Sequence, residues 1–167
     1  MIVVPAMRLA ALLALVLALA GCGGGNDEAA PPPGFPSDAK LETHDLGGGW
    51  TIVWATKGDT SYAVVEQDGK PVPAGGLTVR VLGPKPLEQV ASIPQVAAAI
   101  RAPDAIDNYT LLVDGTPLDA KGGGLYANNI SAYGAPVTAL EPGRHVAVAA
   151  ARAGETAAAT AWTFTVR

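Results

Sequence analysis

The chain has 167 residues, with 11 Lys and Arg against 15 Asp and Glu and a formal net charge of −4; that length bounds it to one domain, or one domain with a small appendage. Aromatic residues make up 5% and charged residues 16%, and 20 Gly and 14 Pro interrupt the chain too often to leave room for long helices. Phosphate recognition needs a clustered basic patch, and none is present, so nucleic acid is excluded as an expected partner.

Residues 9 to 20, "LAALLALVLALA", form an unbroken run of Leu, Ala and Val preceded by Arg8 and closed by Gly21. A bilayer span needs about 20 residues, so this run is too short to cross, but it fits the apolar region of a signal peptide. Met7 followed by Arg8 offers a tidier start than Met1. The four residues "LAGC" resemble the lipobox of bacterial lipoproteins, with Leu19, Ala20 and Gly21 in the three positions before Cys22. The resemblance implies diacylglycerol on the Cys22 thiol, removal of residues 1–21 by a dedicated peptidase, and acylation, as by palmitate, of the new amine. It makes the membrane a partner and the bacterial cell envelope the address, with outer-membrane sorting favoured, in a cell that has an outer membrane, because Gly23 stands where inner-membrane lipoproteins of proteobacteria often carry Asp. One acyl chain anchors only marginally, whereas two or three, at about 0.8 kcal/mol per buried methylene, anchor durably. Cys22 is the single cysteine, so the mature domain is expected to fold without disulfides.

Residues 22–37, from the lipidated cysteine through "GGGNDEAAPPPGFPS", read as a tether, flexible at the glycines and stiffened toward polyproline II by "PPPGFP". Residues 23 to 37 could extend on the order of 50 Å at ~3.3 Å per residue.

Beyond the tether the apolar pattern has period two, the mark of half-buried strands. In "GWTIVWAT" Trp50, Ile52 and Trp54 share a face, and in "AWTFTVR" Trp162, Phe164 and Val166 do so. Further strands are expected at 61–67, 76–82, 95–102, 108–114, 124–130 and 144–152, separated by "KGD", "DGKPVP", "GPKP", "DGTP" and "LEPG", which hold turn residues where turns need them. The Ala-rich "AAARAGETAAATA" has helix propensity, but Gly154 breaks it and the alternation around Val146 and Val148 argues for a hairpin. "SYAVVEQDGKPVPAGGL" and "NYTLLVDGTPLDAKGGGL" echo one another: a Tyr-led strand, an Asp-Gly turn, a Pro and a Gly-rich stretch. Residues 38–85 are near the lower limit for an independent core and are expected to form a β-meander packing on a main domain of residues 86–167, or a small β subdomain leaning on it.

That main domain resembles the bacterial immunoglobulin-like or fibronectin-III-like domains. The resemblance is carried by "YTLLVDGTPLD" and "LEPGRHVAVAAARAGETAAATAWTFTV", with Leu140, Gly143, His145, Val146, Val148 and Ala150 filling a familiar phrase and "ARAGET" replacing the usual turn before the last strand. The fold class expected is therefore all-β: an immunoglobulin-like β-sandwich with an N-terminal hairpin or meander extension, preceded by a signal peptide and flexible linker. Such a scaffold specifies no reaction.

Candidate chemistry is sparse. There are two histidines, His44 in "LETHDL" and His145 in "PGRHV", and no serine lies in a nucleophile-elbow context. His44 beside Asp45 and Glu42 makes no convincing zinc set, and the residues imply no cofactor. Asp104, Asp107 and Asn108 in "APDAIDN" are a weak Ca²⁺ candidate, since extracellular modules use such oxygen ligands. Tyr126 and Tyr133, in a Gly- and Asn-rich segment, are weak ligand-binding candidates expected to be exposed, whereas the tryptophans are expected in the core. The function expected is a lipid-anchored envelope protein with a non-catalytic binding or spacer domain, its partner an envelope protein or polysaccharide. A polysaccharide-binding module and an envelope hydrolase using His44 or His145 are the alternatives.

Overall fold

A computed structural model describes residues 31–90, 94–126, 130–137 and 140–167. The strands run in chain order β1 (Glu42–Gly47), β2 (Trp50–Lys57), β3 (Thr60–Gln67), β4 (Lys70–Pro71), β5 (Thr78–Gly83), β6 (Gln89–Val90), β7 (Gln95–Arg101), β8 (Asn108–Val113), β9 (Thr116–Pro117), β10 (Lys121–Tyr126), β11 (Ile130–Pro136), β12 (Gly143–Ala153) and β13 (Thr156–Val166). They form three sheets: a meander sheet β1-β2-β3-β4, an outer sheet β10-β11-β7-β5, and a central sheet β6-β13-β12-β8-β9. All pairings are antiparallel except the short β6–β13 contact.

The outer and central sheets make a β-sandwich. Strands β5, β7, β11 and β10 take the spatial order A-B-E-D on one side, and β8, β12 and β13 the order C-F-G on the other. The sequence boundary at residue 85 places β5 with the meander, but β5 pairs with β7 from Thr78↔Arg101 to Gly83↔Ala97. Its inward Val79 and Val81 pack against the sandwich core, so the burial of those side chains assigns it to the sandwich. The expected strand at 124–130 is likewise displaced. Residues 121–126 and 130–136 form two antiparallel strands, and "ISAYGAP", with its small residues and Pro136, lacks the β-branched pattern that announces a strand.

The central sheet is buried on both faces. On one face Leu111, Val113, Ala147, Ala149, Trp162, Phe164 and Val166 meet Val96 and Ala98 of the outer sheet. On the other, Leu112, Val148, Ala150 and Ala157 meet Trp50, Ile52, Trp54 and Val65 of the meander. This explains the Ala-rich run. Stacked sheets sit ~10 Å apart, and a strand covered on both sides reads as continuously apolar rather than alternating. Here the small central-sheet side chains leave volume for the tryptophans and Phe164 to fill. The expectation of half-buried alternation along β12 is corrected accordingly: Ala147 to Ala151 are all at most 4% exposed. The hairpin expected at Gly154 is present, with Ala153 paired to Thr156 and Gly154 at φ +60°, a conformation open to glycine.

The sequence echo is a structural one. Both Asp-Gly pairs adopt left-handed φ at both residues, Asp68 +50° and Gly69 +74°, Asp114 +49° and Gly115 +75°, as two-residue type I′ hairpins require. Each aspartate N–H donates to a backbone carbonyl across from it, Asp68 to Gly49 just before β2 and Asp114 to Val146 of β12, both at 2.8 Å. After each hairpin the chain crosses to an edge of the outer sheet, as β5 in one case and β10 in the other.

The tether reading is also revised at its C-terminal end. Pro32 is buried, Phe35 lies 5.6 Å centroid to centroid from Tyr62, and Lys57 Nζ bonds both carboxylate oxygens of Asp38 at 2.7 and 2.9 Å. Tyr62 pairs with Ala55, so the stretch carrying Phe35 packs on the meander face opposite the central sheet. Apolar Pro and Phe side chains find a surface there, which composition alone does not reveal.

Candidate functional site

Cys22 and the residues Leu19, Ala20 and Gly21 lie outside the described residues. Among the described residues no helix is long and apolar enough to cross a membrane.

His145 sits at the start of β12 and is 8% exposed. Its Nδ1 lies 2.7 Å from Asp114 Oδ2 and its Nε2 lies 2.8 Å from the Glu141 carbonyl oxygen. Asp114 Oδ1 in turn accepts the Val146 N–H at 2.9 Å. Both ring partners are acceptors, so the imidazolium, with two donors, satisfies both. Burial pulls the His145 pKa down, but the hydrogen bonds to Asp114 and Glu141 and the Asp114 charge together outweigh it and hold the group above its usual 6.5. The ring clasps the β8–β9 turn to the segment entering β12, and neither nitrogen faces a hydroxyl. His44 is on β1, opposite Ile52, in a different sheet, and its neighbour Asp45 accepts the Gly47 N–H at 2.7 Å. Structure thus separates the two histidines.

The Ca²⁺ candidate does not assemble. Asp107 Oδ2 accepts the Gly154 N–H at 2.6 Å and lies 4.0 Å from Arg152 Nε, while Asn108 opens β8 in register with Arg152. The carboxylate is committed to fastening the β12–β13 turn. Among the described residues no group of three or more His, Cys, Asp or Glu is placed to hold a metal.

Tyr133, expected to be exposed, is half-buried, with its ring 3.6 Å centroid to centroid from Tyr109. It packs on the cluster of Leu77, Ile100 and Ala151, because position 133 of β11 points toward the central sheet. Tyr126 is placed by backbone register opposite Ile130; its side chain lies outside the described residues. The tryptophans are in the core as expected, with Trp50, Trp54 and Trp162 between 2% and 7% exposed.

One surface that sequence reasoning missed is the open face of the outer sheet. Thr78, Arg80 and Leu82 of β5, Ala99 and Arg101 of β7, and Ile130 and Ala132 of β11 line a shallow depression of about 470 Å³. Alanines at Ala99 and Ala132, paired across the β7–β11 ladder, keep its floor low, and Leu82 at its margin is 49% exposed. No Asp or Glu occurs in β5, β7, β10 or β11, although acids outnumber bases in the chain. That depletion along four strands was the available signal, invisible until the strands are known to share one sheet. No family model matches this chain, and neither a curated protein nor a solved structure gives a significant match.

Proposed function

We propose that this is a lipid-anchored protein of the bacterial cell envelope whose immunoglobulin-like sandwich is a non-catalytic binding module. The observation that carries the anchor is "LAGC" behind an apolar run of signal-peptide length. Two features support a binding rather than a catalytic role. His145, the histidine with a carboxylate partner, spends both ring nitrogens on structural acceptors, and the open depression on the outer sheet is lined by guanidinium, aliphatic and threonine side chains without a histidine or carboxylate. Because the segment from Pro32 onward packs on the meander, the reach from Cys22 to the domain is bounded at about 35 Å. The chain enters on the meander side of the stack, and the open face lies on the opposite side.

Radiolabelled palmitate incorporation, with and without the signal peptidase II inhibitor globomycin, tests the anchor. The wild-type chain is expected to take up label and to accumulate as an unprocessed precursor in globomycin. Cys22→Ser is expected to take up none and to leave the membrane fraction. A Cys22→Ser chain that still sediments with membranes after a high-salt wash overturns the proposal.

A further inference from the structure

Every described arginine outside the open face has a partner. Arg144 bonds Asp59 at 3.3 Å and Thr163 at 3.1 Å, Arg152 lies beside Asp107 and over the Trp50 ring at 4.9 Å, and Arg167 donates to Gln89 at 2.9 Å. Among the described arginines, Arg80 and Arg101 alone make neither an ion pair nor a side-chain hydrogen bond with a described residue, and both line the same depression. Arg80 pairs with Ala99 and Arg101 with Thr78, so the two guanidiniums spring from diagonal positions on adjacent strands, roughly 7–8 Å apart at their origins. Like charges so placed repel, and no acid on these four strands offsets them.

A ligand that relieves this repulsion carries two anionic groups at matching separation. Alternate residues of an extended peptide lie about 7 Å apart on one face, which is the same spacing. Planar guanidiniums grip carboxylates in bidentate fashion. Leu82, Ile130 and the alanine floor offer the aliphatic stems of Glu side chains a dry surface, and no aromatic ring among the lining residues offers a sugar a stacking platform. We propose that the open face of the outer sheet docks an extended acidic segment of a partner protein, with carboxylates at alternate positions seated on Arg80 and Arg101. This rests on reading the sandwich as a binding module but not on the anchor: acylation of Cys22 and binding at this face succeed or fail separately.

Fluorescence anisotropy with the detergent-solubilised full chain and a fluorescein-labelled peptide, Glu-Thr-Glu-Val-Glu-Thr-Glu-Val amide, tests the proposal. Saturable binding that weakens as salt rises is expected, with about a tenfold loss in the Arg80→Glu/Arg101→Glu variant and an unchanged melting curve. Lys40→Glu/Lys70→Glu makes the same change in net charge at exposed sites on the meander side and is expected to bind within about twofold of wild type. No binding, equal binding of a peptide with Lys in place of Glu, or an equal loss in both charge-reversed variants overturns the proposal. Displacement of the peptide by polygalacturonate at a lower concentration of carboxylate than free peptide requires also overturns it, in favour of an anionic glycan.

Discussion

His145 Nδ1 stands 2.7 Å from Asp114 Oδ2, joining the left-handed turn after β8 to the entry of β12. With its Nε2 on the Glu141 carbonyl, the ring favours the protonated form in the folded chain. Its folded pKa lies above the unfolded value of 6.5, so the stabilisation is fully present below pH 6.5 and fades as pH rises through the folded pKa. Urea midpoints measured from pH 5 to 9 are expected to fall across that window. His145→Gln is expected to flatten that fall, and His145→Ala to cost about 2 kcal/mol at pH 6 by leaving Asp114 and Glu141 short of donors. A wild-type midpoint that rises between pH 6 and 8 by an amount His145→Gln abolishes contradicts the geometry.

The two Asp-Gly turns share a backbone conformation but not a workload. Asparagine tolerates left-handed φ nearly as well as aspartate, so Asp→Asn isolates the charge. Asp114→Asn is expected to lower the His145 titration midpoint, read from the imidazole proton shift, and to cost about 1–2 kcal/mol below pH 6. Asp68→Asn, whose side chain is in no ion pair among the described residues, is expected to stay within about 0.5 kcal/mol of wild type.

Trp54, 2% exposed, anchors the meander on the central sheet together with Ile52 and Val65. Trp54→Ala is expected to cost about 3–5 kcal/mol. Native-state hydrogen exchange is expected to show the loss most strongly in β1 to β3, with β7 and β11 of the outer sheet retaining more of their protection. Uniform loss in all three sheets would show instead that the meander and sandwich open as one unit.

Ala149 is 2% exposed on the central-sheet face that meets the outer sheet. Ala149→Leu adds volume between two sheets with no room to separate locally and is expected to cost about 1–3 kcal/mol in urea unfolding. Ala99→Leu, on the open face, is expected to cost under about 0.5 kcal/mol while filling the floor of the depression, so it abolishes peptide docking without unfolding the sheet.

Much of the strand order was legible along the chain because hairpins are local. Asp68-Gly69, Asp114-Gly115 and Gly154 each set a turn by backbone conformation, and Trp162, Phe164 and Val166 declare a buried face by alternation alone. The meander's Trp50, Ile52 and Trp54 were legible for the same reason, since large apolar residues at period two have one economical place to go. Tyr133 was not: a tyrosine among glycines and asparagines looks solvent-facing until β11 is placed against β7 and its inward register against Tyr109 is fixed.

The all-β class, the turns and the core tryptophans could be read from the sequence because neighbours within a few residues carry them. Tertiary structure alone decided that the Ala-rich strand is covered on both faces, that β5 crosses into the outer sheet, and that Arg80 and Arg101 share an acid-free surface. Each of those depends on which strands lie side by side, and strand pairing is a long-range contact that period-two alternation leaves open.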